Sequence, residues 1–182
     1  NILLPASEYL HYAGLSDSTK YNELTLLDVK NRFEKHPYMR KAEVEFDGVN
    51  KILVEVEEKE IKAVLLQKNE LKLVTDDLKT LPLFPTSDIR DLPVISNLNM
   101  SNKQSIDTTN IEFAFRIIDA ISLSDTNIRK SMAEINLRKG GDVILTFTGL
   151  NFLVLFGKNN EVRKALILKN IWFRIINDEK IN

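Results

Sequence analysis

The feature that most restricts this chain is a strict two-residue alternation between positions 42 and 57. Ala42, Val44 and Phe46 alternate with Glu43 and Glu45, and Ile52, Val54 and Val56 alternate with Lys51, Glu55 and Glu57. Between the two runs lies Asp47-Gly48-Val49-Asn50, a cluster of turn-forming residues. Period-two patterning around such a turn predicts an antiparallel hairpin with one apolar and one wetted face. Pro37 fixes what comes before it, because the residue ahead of a proline is pushed out of the helical region. A helix whose apolar positions are Leu26, Val29 and Phe33 therefore stops at His36. Thr25 and Asp28 resemble a capping box at its start. His36 is expected at the helix C-terminus, where the dipole favours a cationic ring. An earlier short helix, with Pro5 in its first turn and Gly14 as its stop, holds the only other histidine, His11.

After Lys59 the pattern changes. A second hairpin is expected with its turn at Lys68-Asn69. The proline-punctuated stretch with Pro82, Pro85 and Pro93 reads as extended or looped. A polar linker over residues 97–109 leads to a helix over 111–123, for which Thr109 and Glu112 suggest a capping box. Ile111, Ala114, Phe115, Ile118 and either Ile121 or Ser122 form its apolar stripe. Three short strands with glycine-containing turns follow, and then a final helix through Val162, Ala165, Leu166 and Leu168. The expectation is an α+β chain of two domains. Residues 1–59 form a small α-α-β-β unit, and residues 60–182 form a larger unit with a mixed, mainly antiparallel sheet and flanking helices.

Composition narrows the chemistry. Among 182 residues there is no cysteine, which removes disulfides, thiolate metal sites and thiol nucleophiles. The net charge of -1 provides no basic field for nucleic acid. No apolar run approaches the roughly 20 residues that span a bilayer. His11 and His36 are the only imidazoles, and they lack the spacing that places two metal ligands on one helix face. Glu55 and Glu57 fall on the wet strand face, where nothing raises a carboxyl pKa. Asp76 and Asp77 sit in a turn, where aspartate bonds its own backbone. Neither catalytic, cofactor-binding nor metal-binding residues are expected. Trp172 and Phe173 are adjacent on the final helix and cannot both face a core. One of them packs while the other is half-packed, or the pair meets a partner.

The order of motifs carries more than its parts. Pro37-Tyr38-Met39, Ala42-x-Val44, Ile52-x-Val54-x-Val56 and Glu58-Lys59-x-Ile61-x-Ala63 are followed by Leu73-Val74-Thr75-Asp76 and Leu92-Pro93-Val94-Ile95. Glu134-Ile135-x-Leu137 and Phe152-x-Val154-x-Phe156-Gly157 complete the series. The set resembles the bacterial cell-division FtsQ/DivIB family, with its POTRA domain and β domain. Lys59 replaces that family's usual arginine, Ile61 its proline, and Leu78 a common turn glycine. The resemblance implies a POTRA-like unit whose first strand is reduced to residues 1–4, and a β domain whose final strand would lie beyond Asn182. It implies a non-enzymatic divisome scaffold, anchored in the inner (plasma) membrane by a single N-terminal span outside this sequence, with both domains outside the cytoplasm. The partners implied are other divisome membrane proteins, above all FtsB/FtsL-type coiled-coil proteins. The expected contacts are the strand edge at Asn151, Phe152, Val154 and Phe156, and the last helix at Trp172 and Phe173. Two alternatives remain: a POTRA-bearing outer-membrane assembly or secretion module, and an enzyme with its site in the 82–102 loop region.

Overall fold

A computed structural model describes residues 2–16, 25–48, 51–98, 108–138 and 141–179. The architecture is α+β, with a two-stranded and a seven-stranded sheet. The chain divides into two units. The first comprises Asn1–Glu60 with Leu81–Ile89, and the second Ile61–Thr80 with Arg90–Asn182.

In the first unit, α1 (Ala6–Tyr12) and α2 (Leu26–Glu34) precede β1 (Met39–Phe46) and β2 (Ile52–Glu58). The capping box of α2 is complete. The Asp28 N–H donates to Thr25 Oγ1 at 3.1 Å, and the Thr25 N–H donates to the Asp28 carboxylate at 3.0 Å. The hairpin register pairs Ala42 with Val56, Val44 with Val54 and Phe46 with Ile52. Its apolar face is only partly covered, contrary to the expectation of a buried one. Ala42 is buried, but Phe46 is 53% and Val56 42% exposed. Among the described residues, α2 offers Val29 and Phe33 as its buried side chains. Val49 and Asn50 of the turn, the segment after Ser16, most of the 97–109 linker and Lys139-Gly140 lie outside the described residues.

The Leu81–Ile89 excursion groups with this unit rather than with the second, as the 1–59 boundary would have had it. Tyr38 accounts for this. Its ring is fully buried, and its hydroxyl donates to the Pro82 carbonyl at 2.8 Å, accepts from the Phe84 N–H at 3.2 Å and meets Ser87 Oγ at 2.8 Å. The Asp88 N–H also donates to the Leu3 carbonyl at 2.8 Å.

The second unit is built on seven strands in the order β5-β4-β3-β6-β7-β8-β9. These are β3 (Ile61–Gln67), β4 (Glu70–Thr75), β5 (Thr80–Pro82), β6 (Val94–Ser96), β7 (Met132–Leu137), β8 (Val143–Phe147) and β9 (Val154–Leu155). The β3–β4 turn has Lys68 at φ 49° and Asn69 at φ 66°, the two left-handed residues that suit the twist of a two-residue hairpin. Leu78 also adopts a left-handed backbone, φ 64°, at the position where the family resemblance expects glycine. Its N–H bonds to the Thr75 carbonyl, and its side chain packs on the core, which holds a conformation that branched chains rarely adopt. In the centre, β6 runs parallel to both β3 and β7, while the β3–β4, β7–β8 and β8–β9 pairs are antiparallel.

Helices α3 (Thr108–Ser124), α4 (Thr126–Ser131) and α5 (Glu161–Glu179) complete this unit. α3 begins one residue before Thr109, so Thr109 lies inside the helix and is not its cap. Its buried surface is also broader than one stripe. Phe113, Ile117 and Ala120 are buried along with Ile111, Ala114, Phe115, Ile118 and Ile121, because α3 packs on α5 as well as joining the sheet-side core. The short α4 is capped by Asp125, whose carboxylate accepts from the Asn127 and Ile128 N–H groups.

Candidate functional site

The two margins of the large sheet differ. β5 ends in Pro82, which lacks the N–H an added strand would need. At the opposite margin β9 pairs with β8 through Ile144↔Leu155 and Leu145↔Val154, and no strand lies beyond it among the described residues. Alternation sorts the side chains there. Val154 is half-buried against the core, whereas Leu155 is 70% exposed and Phe152 and Leu153 are exposed as well. Asn151, at the approach to the strand, is exposed.

α5 begins beside the end of β9. The Lys164 ammonium lies 5.5 Å from the centre of the Phe156 ring and donates to the Lys158 carbonyl at 2.6 Å. The core face of α5 is Ala165, Leu168 and Trp172, at helical spacing. Trp172 is 8% exposed and meets Phe147 edge-on, with ring centroids 5.0 Å apart. A second apolar row flanks this face. Val162, Leu166 and Phe173 recur at i, i+4 and i+11, all exposed, and Phe173 is 75% exposed. Ile167 and Ile171 are exposed on the other side of the helix.

The six residues expected to meet a partner therefore divide. Asn151, Phe152 and Phe173 are accessible, and Val154 is partly so. Phe156 and Trp172 belong to the core and can only hold the surface in place. Leu153 and Leu155 lie within the expected 151–156 edge, and both are exposed; Val162, Leu166, Ile167 and Ile171 of α5 were not foreseen as contacts. Their signal is legible in retrospect: the final helix has more apolar positions than one buried stripe of a surface helix accommodates.

Among the described residues no three His or acidic side chains gather where they could hold a metal ion. His11 is exposed on α1, and His36 is buried. The rings of Tyr12, Tyr9, Tyr38 and Phe84 stand 4.5, 4.8, 5.2 and 5.5 Å from the His36 ring. His36 Nδ1 accepts from the Tyr38 N–H at 3.1 Å. Burial lowers the pKa of His36, opposed by nearby Glu58 and aided by Lys59, so the ring is held neutral rather than cationic as the sequence suggested. Of the carboxylate run, Glu55 and Glu57 are exposed as expected. Glu58 instead turns inward and accepts from the Leu3 N–H and the Tyr9 hydroxyl. Burial first, and then this carboxylate, raise the Tyr9 phenol well above its ordinary range. Arg129 is another structural cation. It donates to the Asp91 carbonyl at 3.0 Å and the Lys62 carbonyl at 3.4 Å, and burial lowers its pKa. No helix among the described residues is long and apolar enough to cross a membrane.

What this arrangement offers a ligand is a short strand edge with bare apolar side chains and a helix carrying a spare apolar row. Such surfaces bind polypeptide by strand addition or helix packing. No protein-family model matches the chain, and no curated protein matches it.

Proposed function

We propose that the protein is a non-enzymatic scaffold of the bacterial cell-division machinery, which recruits membrane-anchored coiled-coil partners through the β9 edge and the outer row of α5. The docking half of this reading is supported by one observation. Phe152, Leu153 and Leu155 are exposed at the one margin of the seven-stranded sheet that no proline closes, and Val162, Leu166 and Phe173 are exposed on the helix that follows it. The cell-division half is supported by the ordered resemblance to the FtsQ/DivIB family, which also supplies the membrane anchor and the extracytoplasmic placement.

The test is co-purification of the full-length, membrane-anchored protein with its FtsB/FtsL-type partners. Leu155→Arg and Phe173→Glu, separately, are expected to abolish partner recovery while leaving the protein folded. Leu123→Arg changes a still more exposed leucine on α3 and should preserve recovery. Undiminished recovery with both Leu155→Arg and Phe173→Glu would refute the assigned surface. Failure of the unaltered protein to recover such partners would refute the cell-division reading.

A further inference from the structure

Four rings of the first unit close around the buried imidazole of His36. Tyr9 and Tyr12 come from α1, Tyr38 from the turn ahead of β1, and Phe84 from the 81–89 excursion. Two charges act on the imidazole. The Glu58 carboxylate at the end of β2 favours a cation, but the Leu3 N–H and the Tyr9 hydroxyl already engage it. The Lys59 ammonium, which donates to the Pro37 carbonyl at 2.7 Å, opposes a cation.

One hydrogen bond fixes the proton on the ring. His36 Nδ1 accepts from the Tyr38 N–H at 3.1 Å. A neutral imidazole accepts at one nitrogen and donates at the other, so this bond places the proton on Nε2. A second proton has only Nδ1 to occupy, and there it would point at another donor. Protonation therefore does more than charge a desolvated ring. It removes the bond that ties His36 to the Tyr38 backbone.

Tyr38 in turn holds the excursion. Its hydroxyl joins the Pro82 carbonyl, the Phe84 N–H and Ser87 Oγ, and its ring lies 5.2 Å from that of Phe84. The Asp88 N–H to the Leu3 carbonyl is a further tie, and Leu3 is itself bound by Glu58. Most of what fastens residues 81–89 to the first unit thus runs through the two rings that the His36–Tyr38 bond keeps in place.

We propose that His36 is a proton-operated latch: when its ring takes a second proton, the Leu81–Ile89 excursion is released from the first unit while the second unit stays folded. The sign follows from linkage. Burial makes the latched ring resist a proton, whereas a ring freed into water regains its ordinary pKa of 6.5. Release is therefore favoured as pH falls below that value, and latching is complete above it. This switch is separate from the β9 surface and does not rest on the cell-division reading.

The test is residue-resolved amide exchange on the full chain from about pH 7.5 to about pH 5, each rate divided by its intrinsic value at that pH. One proton taken up on release shifts that equilibrium by as much as about tenfold per pH unit, so protection at Phe84 and Asp88 should fall at least about fivefold. The β3 and β8 amides should keep theirs. His36→Gln, which cannot take the proton, should remove the fall, and His11→Gln, at the exposed histidine of α1, should retain it. Glu58→Gln should move the fall to lower pH, because it withdraws the charge that favours the cation. Three results would each overturn the proposal: constant protection while the His36 ring titrates, an equal fall in β3 and β8, or a fall that survives His36→Gln and vanishes in Glu58→Gln. Should His36→Gln not fold, the ring nitrogen shifts of the unaltered protein decide. A neutral ring with its proton on Nε2, titrating at the midpoint of the exchange change, supports the latch; a proton on Nδ1 or a separate midpoint overturns it.

Discussion

Trp172 and Phe173 are neighbours in sequence with opposite surroundings, and replacing each by alanine separates core from surface most sharply. Trp172 is 8% exposed and stacks edge-on against Phe147, within a cluster that includes Ala165, Leu168 and Phe156. Truncating a buried tryptophan removes its transfer free energy and leaves a cavity, together about 3–5 kcal/mol. Of this, about 0.5–1.5 kcal/mol belongs to the aromatic pair. Phe173 is 75% exposed, so Phe173→Ala is expected to change stability by no more than about 0.5 kcal/mol. Urea unfolding followed by far-ultraviolet circular dichroism suits both variants, because Trp172 is the only tryptophan and its loss removes the fluorescence signal. Since the chain has two units, the Trp172→Ala loss should appear in one transition and leave the other in place. Equal destabilisation by the two variants, or a Trp172→Ala effect below about 1 kcal/mol, would mean that α5 is rotated from the orientation described.

Three other perturbations test the first unit. Tyr38→Phe keeps the buried ring but deprives the Pro82 carbonyl and the Phe84 N–H of their partner, and should cost about 1–3 kcal/mol in urea unfolding; a neutral result would detach the 81–89 excursion from Tyr38. Burial lowers the His36 pKa, so below about pH 6.5 the unfolded chain binds a proton that the folded chain resists. Stability is then complete above that pH and falls as pH drops through it; the urea midpoint should decline between pH 7.5 and 5.5, and His36→Gln should flatten that decline. Glu55→Lys should leave stability within about 0.5 kcal/mol or raise it slightly, because it removes the opposition to Glu43; a large loss measured by thermal unfolding would place Glu55 inside.

What could be read from the sequence was local. The Thr25–Asp28 cap, the β1–β2 alternation and the Lys68-Asn69 turn are each fixed by residues within a few positions of one another, and each is present. Distant pairings were not legible. Nothing near His36 announces Phe84, which arrives from almost fifty residues away to help bury the ring. The three residues of β6 are too few to show a period, and their parallel neighbours come from chain segments on either side. Asp125 did have the chemistry of a helix start, but α4 is only six residues long and left little apolar pattern to notice. The proposed docking surface shows the same limit in the sequence. Residue pattern could not tell Phe173 from Trp172, because helical phase relative to the core depends on how α5 lies on α3 and the sheet.

The middle of the large sheet has a mechanical consequence. The β3–β4 and β7–β8 pairs are the longer ladders, each with one register shift, and among the described residues they are joined within the sheet only through Val94–Ser96. Tension applied across that seam would load two register pairs on the β3 side and three on the β7 side, with the helical layer as the remaining brace. Rupture would start there, parting the sheet into two intact leaves while each hairpin kept its own bonds. The shorter of the two pairings, between β3 and β6 at Val94 and Ile95, is therefore where such a load is expected to separate the sheet first.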